Sequence, residues 1–284
     1  MLRVSIVSTM VAAGMALSGC ATGQQLPTPP AKLEAATKTT HKIKQIPAPS
    51  QPVDVAVYEF PDLTGQAKPN DSFAEYSRAV TQGGANLLID VLKATGGGQW
   101  FRVVERSGLK NLVQERTLIE NTQRAYNPGS GALPPVRFAG LILEGGIVGY
   151  DSNERTGGAG ARYLGIGGDM QYRSDLVTVS LRAVSVQNGE VLASTTTSKQ
   201  IYSYMMRGGA YKFAVAEELL EIEAGISYND PGHLAVREGI ELAVYSLIVD
   251  GLKNGLWRLA DPAQQELLIR QFSKDYAGKK PAGS

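Results

Sequence analysis

The sequence predicts an α+β fold: one α/β layer that carries two β-hairpins of membrane-strand pattern, which join an oligomeric transmembrane β-barrel. Three observations predict it. Strand and helix patterns alternate over 53–119, residues 141–226 hold almost no helix signal, and strong helical periodicity returns at 234–252 and 264–272.

The N-terminus comes first. Arg3 precedes an apolar run, 4–17, that closes on Leu17-Ser18-Gly19-Cys20. A positive start, a short apolar stretch and small residues at the cut make 1–19 a lipoprotein signal peptide, and the run is too short to span a bilayer. Cys20 is the one cysteine of the chain, so no intramolecular disulfide can form and its expected fate is acylation. A covalent lipid on Cys20 is the only non-protein group expected, with no cofactor and no metal. Ala21 stands where an inner-membrane retention signal would place Asp. The expected destination is therefore the outer membrane, lipid-anchored, with the soluble domain in the periplasm. Residues 20–52 are rich in Pro, Ala, Thr, Lys and Gln without apolar periodicity and read as a flexible tether. A formal net charge of +1 with cations scattered among Asp and Glu excludes nucleic acid as a partner.

The folded domain is expected over 53–284. Val53, Val55 and Val57 alternate with Asp54, Ala56 and Tyr58 as a half-buried strand requires. Val80, Ala85, Leu87, Leu88, Val91 and Leu92 give a helix over 79–93, stopped by Gly96-Gly97-Gly98. A second strand follows at 100–104. A second helix carries the apolar stripe Leu109, Leu112, Val113, Leu118 and Ile119. Residues 176–186 alternate up to Gln187-Asn188-Gly189-Glu190, where Asn-Gly supplies the positive φ of a tight hairpin assigned to the soluble domain.

Two segments flank that hairpin, at about 146–173 and 197–222. In the first, Val148, Tyr150, Leu164, Ile166, Met170 and Tyr172 alternate with Gly149, Asp151, Gly165, Gly167, Asp169, Gln171 and Arg173. In the second, Tyr202, Tyr204 and Met206 lead into the turn 207–210, and Tyr211, Phe213 and Val215 begin the return. A membrane-spanning strand needs roughly 9–11 residues with an apolar outer face. These alternations make Val148, Tyr150, Leu164, Ile166, Met170, Tyr202, Tyr204, Met206, Tyr211, Phe213 and Val215 the expected lipid-facing set. Unpaired backbone in hydrocarbon costs several kcal/mol per group, so one chain could not insert alone and neighbouring copies must close the ring. The competing reading is a pair of edge hairpins packed on the soluble core. Glu217 and Glu218 break the alternation and would have to lie at the periplasmic end or face a lumen.

Val55-Ala56-Val57-Tyr58, Thr64-Gly65-Gln66 with Lys68-Pro69, Trp100-Phe101, Glu105-Arg106 with Gly108-Leu109, Asn111-Leu112 with Glu115-Arg116, Glu144-Gly145 with Ile147-Val148-Gly149-Tyr150, Gly160-Ala161-Arg162-Tyr163 and Gly255-Leu256-Trp257 occur in this order. In that order they resemble the curli-production channel lipoproteins, the CsgG family. The resemblance implies a homo-oligomer of nine copies, each donating two hairpins to one barrel. It implies unfolded curli-type amyloid subunits as cargo and periplasmic accessory factors as further partners. It also implies a pore constriction at the loop after the first strand, where Tyr76 matches the second aromatic of a ring. Glu75 falls on an amide position, a departure that would gather like carboxylates and favour cations. Phe73 is the choice for the first aromatic, with Asn70 as the alternative. Without the resemblance, the same aromatics among Asn, Asp and Ser read equally as a small satellite cluster.

An enzyme finds no support in spacing. His41 falls in the tether and His233 beside a helix start, and no His-Glu-x-x-His, P-loop or nucleophile-elbow pattern occurs. The alternative function is a scaffold or anchor without a pore, for a surface adhesin such as holdfast.

Overall fold

The computed structural model describes residues 36–65, 81–127, 129, 131–156, 171–206, 210–214 and 231–276. Their elements in chain order are α1 (Lys38–Lys44), β1 (Val53–Val57), α2 (Gly84–Ala94), β2 (Phe101–Glu105), α3 (Leu109–Tyr126), β3 (Leu141–Thr156), β4 (Gln171–Ser185), β5 (Val191–Met206), β6 (Ala210–Ala214), α4 (Pro231–Lys253) and α5 (Pro262–Tyr276). The six strands form one sheet in the order β2-β1-β3-β4-β5-β6. β1 is parallel to β2 and β3, and every later pairing is antiparallel.

The tether ends earlier than its composition suggests. Thr37 and Thr40 close a reciprocal capping box at the start of α1. Ile43 and Ile46, three residues apart, are both buried in the core. The chain then runs extended, with Ser50 N donating to Arg258 O and Ala260 N donating to Ala48 O. Trp100 Nε1 donates to Pro47 O at 2.7 Å. Residues 36–52 therefore belong to the folded domain and His41 to a helix. Two isoleucines are too few to announce a periodic face, which is why the sequence pattern missed them.

β1 sits between two strands, and Ala56 is buried along with Val55 and Val57, so both faces are covered rather than one. This is the usual state of a parallel strand under helices. α2 starts at Gly84, later than the expected residue 79, because it begins in contact with the turn after β1. A Cβ at Gly84 would lie 2.4 Å from Phe60 O. Leu87, Leu88, Val91 and Leu92 face the core. Gly96, Gly97 and Gly98 then adopt φ of +57°, +65° and +87°, a sharp stop that side chains resist.

α4 lies across β4 and β5. Ala235, Val236, Ile240, Ala243, Val244, Leu247 and Ile248 on α4 meet Val177, Val179, Leu181, Ala183 and Ile201 on the sheet, all fully or nearly fully buried. Each large aliphatic chain contributes about 1.5–3 kcal/mol on burial, so this layer supplies a large share of the domain's stability. Trp257 closes its lower end by donating Nε1 to Ile248 O at 2.7 Å. Its ring lies edge-on to Trp100, centroids 6.2 Å apart.

α3 is longer than expected and none of its residues is buried. Its apolar stripe is open in this chain, with Val113 51% and Leu118 59% exposed. The stripe read from periodicity is present, and the described residues of this chain leave it open.

Glu241, on α4, is 1% exposed. It accepts from Thr40 Oγ1 at 2.6 Å and Thr37 Oγ1 at 2.9 Å, and Arg237 Nε lies 3.3 Å away. Burial raises its pKa above the ordinary carboxylate value, against the lowering pull of these donors. A raised folded-state pKa stabilises below the unfolded value and loses that contribution as pH rises through the folded value. Thermal midpoints measured from about pH 4 to 7 should therefore fall with rising pH, and Glu241→Gln should flatten that slope. Thr40→Val, which removes the nearer of the two donors to the buried Glu241 Oε1, should cost about 1–3 kcal/mol in urea titration.

Candidate functional site

β3, β4 and β5 are 16, 15 and 16 residues long. At about 3.3 Å per residue such strands reach roughly 50 Å. The helix layer covers only part of that length. Tyr150, Val177 and Ile201 are buried, as are Ser174 and Asp175 beyond Val177, and the ladder continues to Thr156, Gln171 and Met206. Among the described residues β6 adds a fourth strand at this level, pairing Ala214 with Tyr202 and Ala210 with Met206. The two hairpins are thus neighbours in one continuous sheet.

The register departs from the expected single apolar face. A bulge between Ile147 and Gly149 inserts one residue into β3. Before it, Leu143, Gly145 and Ile147 oppose Ala183, Leu181 and Val179; after it, Tyr150 opposes Val177. One inserted residue exchanges the two faces. Tyr150, expected toward lipid, is instead 8% exposed in the hydrophobic core, whereas Val148 at the bulge is 45% exposed. The second hairpin shows a similar shift. Phe213 opposes Ser203 and Tyr211 opposes Met205, so both fall in the alternate phase from Tyr202, Tyr204 and Met206.

Two glycines set the approach of the chain to the base of this sheet. A Cβ at Gly145 would lie 2.0 Å from Ser180 O, and one at Gly146 would lie 2.6 Å from Pro61 O. The absence of side chains lets 61–63 fold over β3, where Ile147 N donates to Pro61 O and Leu63 N to Ile147 O. Asp62, which the sequence reading passed over, joins both sides of the loop that follows. Its Oδ1 accepts from Thr64 N at 2.9 Å and Thr64 Oγ1 at 2.6 Å, and its Oδ2 accepts from Gln82 Nε2 at 3.3 Å. The expected constriction residues fall in the sequence between Thr64 and Gln82. Phe73, Glu75 and Tyr76, with the alternative Asn70, lie outside the described residues, as do Cys20, Leu164, Ile166, Met170 and Val215. The loop base and the hairpin base nevertheless meet at Asp62, which bridges to Ile147.

The sheet face away from α4 is polar. Arg182 pairs with Glu144 at 2.8 Å, and Thr178 and Ser198 share a hydroxyl contact at 3.0 Å. Among the described residues no group of three or more His, Cys, Asp or Glu could hold a metal ion. No helix among them is long and apolar enough to cross a membrane, which says nothing about strands.

The described residues form a mixed α/β domain whose sheet continues into long hairpin strands. The family model described as the curli production assembly/transport component CsgG matches residues 36–275, and this chain belongs to that family. It is 39% identical over 267 residues to the protein of that description from Escherichia coli (strain K12), covering 92% of this chain and 95% of the relative. The Salmonella typhimurium (strain LT2) relative is 37% identical over 266 residues, with 92% and 95% covered. The Citrobacter koseri relative is 38% identical over 260 residues, with 89% and 92% covered. These relatives are assembly/transport components of curli production by description. Among solved structures, a PelC dodecamer from Paraburkholderia phytofirmans superposes at a TM-score of 0.26 with 18% identity, over 54% of this chain and 76% of that one. Lipoprotein GNA1162 from Neisseria meningitidis also superposes at 0.26, with 13% identity over 54% and 84%. Likeness at that level supports no further statement.

Asp62→Ala should leave the fold intact at a cost of about 0.5–1.5 kcal/mol while speeding proteolytic cleavage between residues 66 and 80. Gly145→Ala should instead separate β3 from β4 and lower the thermal midpoint by several degrees.

Proposed function

We propose that this chain is the subunit of an oligomeric outer-membrane channel that exports unfolded curli-type amyloid subunits from the periplasm. The observation that carries the reading is the length of β3, β4 and β5, which run on past the helix layer together with β6 as a four-stranded ribbon. Such a ribbon has two open edges, the upper part of β3 and β6. In hydrocarbon those edges must be paired, so copies stand side by side, β6 against the next β3, until the ring closes. Family membership supports the cargo, and the resemblance gives nine as the expected copy number. A lipid on Cys20 anchors each copy at the outer membrane, and periplasmic accessory factors deliver cargo.

In this reading the lipid-facing set is Val148, Leu164, Ile166, Met170, Tyr202, Tyr204, Met206 and Val215. Tyr150, Tyr211 and Phe213 leave it because of the register described above. Phe73 and Tyr76 line the constriction and contact the side chains of an extended chain, whose backbone stays hydrated. No nucleotide or metal site is needed, since a cargo gradient supplies the direction. The scaffold alternative shares the anchor and the domain but gives no reason for strands of this length.

Single-cysteine variants at 202–206 and 211–213, made in the Cys20-lipidated protein in nanodiscs, test the ring. A water-soluble thiol reagent should modify 203, 205, 211 and 213 and spare 202, 204 and 206; uniform modification would leave no lipid face. Planar-bilayer recordings should show cation preference in the wild type and its loss in Glu75→Gln, with unchanged selectivity removing Glu75 from the constriction.

A further inference from the structure

We infer that the open edge of β2 is a docking site for an extended acidic segment of a partner protein, which adds to the sheet there as a further strand. The ring proposed above pairs β6 with the next β3 and leaves β2 unmatched, so the two readings are independent. Among the described residues β2 is the outermost strand. Val53 N donates to Trp100 O at 2.8 Å, and the parallel register pairs Val53 with Phe101 and Val55 with Val103. Backbone groups of Arg102 and Val104 therefore point to β1, while those of Phe101, Val103 and Glu105 point outward. Arg106 Nη1 donates to Glu105 O at 2.7 Å. The N–H and C=O of Phe101 and Val103 bond no other described residue. Such spaced donors and acceptors are a template for another segment of chain.

Charge is the first property that selects the occupant. A groove of about 470 Å³ runs along β2, and among the described residues its lining sets Lys93, Arg102, Arg106 and Arg137 against Glu105. The Glu105 carboxylate is already engaged, because its Oε1 accepts from Gly108 N at 2.6 Å. Arg102 Nε and Arg137 Nη1 lie 2.9 and 3.7 Å from Asp54 Oδ1, so one carboxylate serves two guanidinium groups. Arg106 donates to two carbonyls, Glu105 O and Arg137 O, which holds its cation on the outward side of the strand beside no described carboxylate. Lys93 is exposed at the mouth. A free anion would satisfy these cations and leave the outward carbonyls of Phe101 and Val103 unmatched. An acidic peptide matches both.

Phase is the second. Phe101 and Val103 share the face of Val53 and Val55, which pack in the core, whereas Arg102 lies on the opposite face with Asp54. A strand laid along the edge alternates its side chains between those same two faces. Acids on the Arg102 face come within reach of Arg102, Arg106 and Arg137, and apolar residues on the other extend the half-buried surface of Val103. The segment that fits is therefore an alternation of Asp or Glu with aliphatic residues, over at least the 5 residues of β2. None of the described strands of this chain alternates in that way, which makes the occupant another polypeptide.

The test uses the full-length lipoprotein in detergent and fluorescence anisotropy with a labelled peptide of about ten residues alternating Glu and Val. Saturable binding is expected, and replacing every Glu of the peptide by Gln should weaken it about tenfold. Of two further peptides, methylated on the Glu nitrogens or on the Val nitrogens, at least one should also lose about tenfold, since each set of nitrogens faces one edge of the strand and its charge is unchanged. Lys93→Glu with Arg106→Glu should cost about tenfold, and Lys93→Glu alone, which leaves every described hydrogen bond in place, about threefold. Undiminished binding by both methylated peptides overturns strand addition. Undiminished binding by Lys93→Glu and by the double variant overturns the placement on β2, and no saturable binding by the unsubstituted protein up to about 1 mM peptide overturns both.

Discussion

Backbone hydrogen bonding along β3, β4 and β5 is the constraint on which the remaining structure depends. Those strands pair over nearly their whole length, from Leu141 with Ser185 at the bottom to Thr156 with Gln171 at the top. Within the lower half the ladder is also covered, because α4 seals one face with aliphatic side chains. Past Tyr150 and Ile201 the ladder itself continues to Thr156 and Met206. A ribbon of this kind keeps its interior peptide groups satisfied in any solvent, and leaves just its two outer edges to be matched from outside. The whole functional reading follows from that imbalance between a finished interior and unfinished edges.

Much of the fold was legible in the sequence because its signals were local. Alternation in β1 and β2, the Asn-Gly turn at Gly189 and the dense aliphatic face of α4 each declare themselves within one element. What was not legible depended on partners distant in sequence. Ile43 and Ile46 become core residues only because Trp100 and the α4 surface lie beneath them, and no window of residues 20–52 contains that information. The stripe of α3 was read correctly as a stripe, but periodicity reports that a face is apolar, not which molecule covers it.

The candidate site shows the same division more sharply. Alternation found the hairpin strands, yet a single bulge at Val148 reversed the facing of Tyr150, and the β5–β6 register placed Tyr211 and Phe213 out of step with Tyr202. A one-residue slip moves every side chain to the other face, so patterning fixes the period well and the absolute phase poorly. Asp62 was invisible for a different reason. Its role is to hold Thr64 and Gln82 on either side of a long loop, and a lone aspartate before a turn carries no mark that sets it apart from ordinary turn chemistry.

The clamp on Glu241 has a mechanical consequence. Tension arriving along the chain from the N-terminal side meets Thr37 and Thr40 first, and these hydroxyls grip α4, while Lys42 grips α5 through Asp275 at 3.0 Å. Strain from a membrane anchor would be absorbed by the helices, loading side-chain bonds in shear and sparing the strand ladder. In the proposed channel, the ribbon would thus be isolated from its own mooring line.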